Sequence, residues 1–319
     1  MVNVLLILFS SFFALNMGGT GFTPSFSAAL GARLIRRAMA LLLFTIFVGI
    51  GALLVGDNVV KTLGGGFVPP GTIDRPTALV LVAAAAGTLF IANLVKIPQS
   101  TTWVTVATLI SLGLARDNLS WDKFLYRLLP AWLAIPPVGF LLTWLITRRL
   151  YPLRGWNYRL YEHLTKHEWK LRALVIASSC YVALGIGASN VPNVVAPLST
   201  AGVFEVPTGM LLFTPVFALG GMVFSRTAAT IGSKVVPLGL YSATIINVVV
   251  GSLILASARI GIPQSLVQTQ VLCVFAIAFA KEGGHGLVRH KILRKIVLLW
   301  IAAPLIAAVL VALLLLVLD

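Results

Sequence analysis

The chain has 319 residues, of which 59% are hydrophobic and 10% charged, with a mean hydropathy of +0.99. Soluble domains carry about 25% charged residues, so a water-soluble core is excluded. The net charge of +15 would in a soluble protein suggest nucleic acid, but the aromatic residues do not interleave the basic ones in any RNA-binding pattern, and nucleic acid is not expected as a partner.

Val2 to Asn16 is apolar and lacks both a basic n-region and a small-residue cleavage site, so it is expected to belong to the mature fold. Apolar stretches near 38–55, 78–95, 128–147, 208–225, 238–258 and 296–318 each approach the roughly 20 residues that cross a bilayer as helix. The run Asn16-Met17-Gly18-Gly19-Thr20-Gly21-Phe22-Thr23-Pro24-Ser25 places glycine and proline inside an apolar span, which predicts a break there. Free N–H groups after such a break suit an anion. Pro98-Gln99-Ser100-Thr101-Thr102 then reads as a helix start whose hydroxyls can donate into a pocket. The segment from about Tyr151 to Lys170 is polar and mixed in charge. It is expected to be an amphipathic helix on the anionic inner leaflet rather than a metal site built on His163 and His167.

The second half repeats the first at a nearly constant offset, the sign of a duplicated transporter. Ala14 to Gly21 recurs as Ala183 to Asn190 at 169 residues, so the second break is expected over Gly185 to Asn193. Gly56 with Lys61-Thr62 is matched to Gly221 with Arg226-Thr227, and Ile97-Pro98-Gln99-Ser100 to Ile262-Pro263-Gln264-Ser265, both at 165. Trp132 and Pro136 recur as Trp300 and Pro304 at 168. Cys180 and Cys273 offer neither a disulfide framework nor metal spacing and are expected to pack.

Five passes per half invert the second half relative to the first. With the amino terminus outside, 18 of the 24 Lys/Arg fall on the cytoplasmic side, while six of the nine acids fall outside, in accord with the positive-inside rule. The expected fold is an all-α polytopic membrane protein of two inverted-topology repeats with broken or re-entrant helices and about ten to twelve transmembrane segments. The first repeat would span residues 1–150, the basic cytoplasmic linker 151–170 and the inverted repeat 171–319. Both termini would be extracytoplasmic and the location the cell inner (plasma) membrane.

Gly18 to Pro24 and Gly187 to Asn193, each followed by a Pro-Gln-Ser run, resemble the paired motifs of the inorganic phosphate transporter (PiT) family, and within it the sulfate permease branch. The resemblance covers Phe12 to about Leu318. It implies two inverted repeats with a substrate site between them near the midplane, alternating access, and it admits a homodimer. The family motif carries an Asp that helps bind sodium and phosphate; the matching positions here are Gly21 and Asn190. Phosphate near pH 7 keeps a proton that a carboxylate can accept, whereas sulfate has none, and a buried carboxylate beside it would cost several kcal/mol. A donor-only pocket therefore points to sulfate, or to thiosulfate, selenate or molybdate, and weakens sodium coupling.

The expected substrate contacts are Gly18, Gly19, Thr20, Gly21, Ser25, Ser100, Thr101, Thr102, Ser189, Asn190, Asn193 and Ser265, with Gln99 and Gln264 orienting them. Coupling or gating candidates are Asp57, Lys61, Arg226 and Glu205, with a proton preferred to sodium; Asp57 and Lys61 also suit a plain i, i+4 ion pair. Lys281 to Gly286 matches no full phosphate loop. No catalytic residue, cofactor or metal is expected. All four histidines, His163, His167, His285 and His290, fall in expected cytoplasmic segments, which argues against an intramembrane enzyme using His285 or Ser100. A phosphate carrier that tolerates loss of the Asp, and an anion channel, remain the competing readings.

Overall fold

The computed structural model describes residues 2–95, 99–150, 155, 158, 162, 166–224, 239–282 and 291–318. Arg226, the run 283–290 with its histidines, and most of the linker lie outside the described residues. The described chain is all helix: α1 (Val2–Gly31), α2 (Arg37–Gly65), α3 (Arg75–Leu94), α4 (Thr101–Ala115) and α5 (Trp121–Leu150), then α6 (Glu168–Thr200), α7 (Val206–Val223), α8 (Leu240–Arg259), α9 (Leu266–Glu282) and α10 (Lys291–Leu318). Eight are long and apolar enough to cross a membrane; α4 and α9, of 15 and 17 residues, are shorter. Outward-facing leucines such as Leu54, Leu133 and Leu316 are exposed, as expected where lipid rather than water is the solvent. The protein is a multi-pass membrane protein.

The expected breaks in the glycine segments do not occur. α1 runs unbroken through Gly18 to Pro24, and α6 through Gly187 to Pro197. The glycines serve close approach instead. A methyl at Gly18 would collide with the Phe217 carbonyl of α7, and one at Gly220 with the Leu15 carbonyl of α1. The pair recurs elsewhere: Gly187 meets the Val48 carbonyl of α2, and Gly51 meets the Leu184 carbonyl of α6. Small residues let membrane helices pack backbone against backbone, and helices in lipid tolerate glycine and proline because no water competes for their amides.

The four positions correspond at a single offset: Gly18 to Gly187, Gly51 to Gly220, Leu15 to Leu184 and Val48 to Phe217 are each 169 apart. The second helices are therefore in register at 169, not at the 165 that matching Gly56 to Gly221 suggests. Other packing pairs are matched too: α1 lies on α3 as α6 lies on α8, and α4 on α10 as α9 on α5.

The non-helical backbone lies one motif further on. Ile262, Gln264 and Ser265 before α9, and Gln99 and Ser100 before α4, are all buried without being helical. The two interrupted passes run in opposite senses. α4 ends beside the α2–α3 connection, where Asn118 Nδ2 donates to Thr72 Oγ1 at 3.2 Å and the Ser120 N–H to the Phe67 carbonyl at 2.9 Å. α9 begins from a turn at that same end, where Asn58 Nδ2 donates to the Arg259 carbonyl at 2.9 Å. The starts of α4 and α9 therefore meet inside the bundle.

Candidate functional site

Ser100 and Ser265 cap the two starts. Ser100 Oγ accepts the Trp103 N–H at 3.2 Å, and Ser265 Oγ accepts the Gln268 N–H at 3.3 Å. Serine is preferred at such positions because its oxygen satisfies one of the four first-turn donors that have no helical acceptor. The remaining first-turn N–H groups and the partial positive charge of both helix ends point into the centre.

The helix starts are joined by main chain. Thr102 Oγ1 of α4 donates to the Gln264 carbonyl at 3.3 Å, and Ser189 Oγ of α6 donates to the same oxygen at 3.0 Å. Asn193 Nδ2 reaches the Ser189 carbonyl at 3.3 Å, and Gln264 Nε2 reaches Thr269 Oγ1 at 3.4 Å. Trp132 of α5 fixes the turn from outside, its indole N–H donating to the Pro263 carbonyl at 2.8 Å while its ring stacks on Trp103 at 4.8 Å between centroids.

Of the sequence-predicted contacts, Gln99, Ser100, Thr101, Thr102, Ser189, Asn190, Asn193, Gln264 and Ser265 are all buried and belong to this group or to its immediate chain neighbours. On α1, Thr20 and Ser25 are buried but donate to carbonyls of their own helix, Met17 and Gly21. Gly18 and Gly19 face α7, and Gly21 packs between Ile186, Phe217 and Phe44. Asp57 and Lys61 form a 2.5 Å ion pair with both side chains at least half exposed. Glu205 is exposed at the start of α7.

Two buried asparagines were not singled out from the sequence. Asn93 Nδ2 donates to both the carbonyl and the side-chain oxygen of Asn16 at 3.0 and 2.9 Å, and Asn247 Nδ2 reaches the Ser25 carbonyl at 3.2 Å and Ser179 Oγ at 3.4 Å. A lone amide in an apolar span was the available signal, since it must find a partner inside the bundle.

The chemistry of the centre is neutral. Among the described residues, every buried polar side chain is Ser, Thr, Asn or Gln; no carboxylate, lysine or arginine is buried. Several polar atoms there have no partner among the described residues, namely both ends of the Gln99 amide and the side-chain oxygens of Asn190, Asn193 and Gln264. Buried polar groups seldom go unpaired unless a ligand or water meets them. No group of three or more His, Cys, Asp or Glu able to hold a metal exists among the described residues.

A bundle of apolar spans around a buried, uncharged polar centre defines a membrane protein that handles a polar solute inside the bilayer. Residues 17–311 match the phosphate transporter family, and the chain belongs to that family, whose members are permeases for phosphate and related anions. It is 30% identical over 301 residues to the sulfate permease CysP of Bacillus subtilis, covering 93% of this chain and 83% of that one. Its fold matches a solved structure titled "The sodium-dependent phosphate transporter" with a TM-score of 0.81 at 20% identity, over 99% of this chain and 98% of the other.

Proposed function

We propose that the chain is a secondary active permease that imports sulfate by proton symport and alternating access. The observation that carries the substrate assignment is the absence of any buried carboxylate among the described residues, in a centre made of hydroxyls, amides and two helix starts. Sulfate offers only acceptors. Beside it a carboxylate would add repulsion and desolvation, whereas neutral donors and helix N-termini stabilise it without a permanent counter-charge. The proposed donors are Gln99, Ser100, Thr101, Asn190, Asn193, Gln264 and Ser265; Thr102 and Ser189, with Thr20 and Ser25 on α1, would contact the anion by turning their single hydroxyl hydrogens away from the carbonyls they now meet. The likeness to a protein named as a sulfate permease supports this choice.

Two inverted repeats, residues 1–150 and 171–319, would supply the alternating access. The reciprocal glycine contacts at 169 and the meeting of α4 and α9 from opposite senses support that architecture. The charge distribution supports extracytoplasmic termini in the plasma membrane. Coupling follows from energetics. A divalent anion entering against a potential negative inside pays roughly 2.3 kcal/mol per charge per 100 mV, so accumulation needs co-transported positive charge. A centre without carboxylates weakens the case for sodium, which seeks anionic oxygen ligands, and leaves the proton to a titratable group outside it, with Asp57 and Glu205 the candidates from the sequence.

A second reading, phosphate import, is favoured by one specific observation: the oxygens of Asn190, Asn193 and Gln264 lack donors and could accept a hydrogen from protonated phosphate. An amide reversed about its terminal bond presents N–H instead, so the same three groups serve either anion. Proteoliposomes loaded with the purified chain decide between these readings. Labelled sulfate should accumulate above its outside concentration under an inward proton gradient, with excess phosphate competing weakly. Equal rates with and without the gradient would refute the coupling, and stronger competition by phosphate would transfer the assignment to phosphate.

A further inference from the structure

At the end of the molecule where α2 and α8 finish, segments far apart in sequence enclose a cavity of ≈ 240 Å³. Three cationic side chains line it, Lys61 from α2 and Lys123 and Arg127 from the start of α5, beside Thr62. Gly261, Ile262 and Pro263 belong to its lining. Lys123 Nζ donates to the Gly65 carbonyl at 3.3 Å and Arg127 to the Ile260 carbonyl at 2.5 Å, while Lys61 pairs with Asp57. Each contact engages part of a donor set that numbers three on lysine and five on arginine.

Capping of the α2 and α8 carbonyl ends accounts for one donor from Lys123 and one from Arg127. It does not account for the convergence of a third cation on the same open cavity. The lining holds three positive charges and no carboxylate; Asp57 pairs with Lys61 from outside it, Asp122 is exposed beside Lys123 and does not line it, and the two helix C-termini carry roughly half a negative charge each. The balance leaves an excess of about one positive charge facing a concave space.

The lining from Gly261 to Pro263 also leads inward. Gly261 takes φ +73°, and a side chain there would press on the Asn58 carbonyl and Thr62 Oγ1, both at 3.0 Å. The turn so formed continues through Pro263 to Gln264, the residue whose carbonyl gathers the hydroxyls of Thr102 and Ser189. A single peptide bond separates the cavity's lining from the buried centre.

We propose that this cavity is a second, superficial anion site, an antechamber that takes a divalent oxyanion from the medium before it reaches the buried centre. It rests on the transport reading for the anion's identity and for which face meets the medium; its electrostatics stand without that reading.

Thr62→Cys in the full chain tests it, because the native Cys180 and Cys273 are buried and leave little background. Intact cells are treated with membrane-impermeant anionic and cationic methanethiosulfonates. The anionic reagent is expected to react roughly tenfold faster, with the bias shrinking as salt is raised and sulfate slowing the labelling. Asp57→Asn should enlarge the bias, and Lys123→Gln with Arg127→Gln should erase it. Gly65→Cys, a lining position where an added side chain meets nothing within 4 Å, repeats the comparison with all three cations in place should Thr62→Cys assemble poorly. Labelling that is blind to reagent charge, or that occurs only from the cytoplasmic side of inverted vesicles, would overturn the proposal. Labelled sulfate uptake is measured on the same cells. Absent uptake with an intact anionic bias sinks the transport reading alone, while normal uptake with charge-blind labelling sinks the antechamber alone.

Discussion

Thr102, in the first turn of α4, donates its hydroxyl to the main-chain carbonyl of Gln264 at 3.3 Å, and so ties the start of one interrupted pass to the start of the other across 162 residues of sequence. The same oxygen accepts Ser189 Oγ from α6. A carbonyl has two lone pairs, and here hydroxyls from two further helices, α4 and α6, fill them.

That shared acceptor predicts a specific pattern of mutational coupling. Thr102→Val or Ser189→Ala alone leaves the Gln264 carbonyl one donor and should cost about 0.5–1.5 kcal/mol, read as a two- to tenfold rise in the half-saturating sulfate concentration. The double variant leaves a buried acceptor empty and should lose more than the two single effects combined. Strict additivity in uptake assays would show that the two hydroxyls do not act through one carbonyl.

The glycine crossings predict a sharp positional contrast in stability. Alanine at Gly18, Gly51, Gly187 or Gly220 meets backbone in each case. Backbone cannot move aside as a side chain can, so each substitution should cost more than the roughly 1–3 kcal/mol of ordinary overpacking. Gly65→Ala meets nothing within 4 Å, and Gly87→Ala only ordinary contact with Leu310; both should be neutral or slightly stabilising. Thermal unfolding of detergent-solubilised protein, followed by size-exclusion profiles, gives the comparison.

The same glycines explain where the sequence was legible. The correspondence at 169 could be read because Gly18 and Gly187 are held by contacts that tolerate little change, and Ser100 and Ser265 both cap a helix start. The break was misplaced because glycine and proline weaken a helix in water, whereas in a bundle without competing solvent the same glycines mark where helices touch. The buried non-helical backbone was instead announced by proline followed by Gln-Ser, a capping signal that holds in either solvent. Of the antechamber only Lys61 stood out in the sequence: Lys123 with Arg127, and Gly261, lie in two other stretches, and only folding brings the three around one cavity.

Outside the membrane-spanning segments, Asp74 gives a pH-dependent test of the α3 start. Hydrogen bonding from the Thr77 side chain, and after it from the Thr77 N–H at 2.9 Å, holds its carboxyl below the ordinary 3.8 despite partial burial. A depressed folded pKa means that the stabilisation is complete above the unfolded value and is lost as pH falls through the folded one. Thermal stability should therefore decline below about pH 4 in a way that Asp74→Asn, which still caps, removes. Asp74→Ala should cost about 0.5–2 kcal/mol at neutral pH. An unchanged acid limb in Asp74→Asn would assign the decline to other groups.

Asn190 offers the most direct test of how the centre chooses its anion. It is buried, its side-chain oxygen has no donor among the described residues, and it stands where the resemblance to phosphate carriers implies a carboxylate. Asn190→Asp changes the side chain by one atom and little in volume, so its effect should be electrostatic rather than steric. Ionised, the new carboxylate would repel sulfate and leave it one amide donor poorer, a cost of several kcal/mol in a dry centre. Phosphate can instead place its own proton between the two oxygens and turn the repulsion into a charge-assisted hydrogen bond. Sulfate uptake should fall at least about a hundredfold while phosphate uptake holds or rises, with phosphate competing better at pH 6 than at pH 8 because the more protonated ion supplies the shared hydrogen. Should both anions lose transport in proportion, Asn190 acts in folding or gating and the absence of carboxylates is not what selects sulfate.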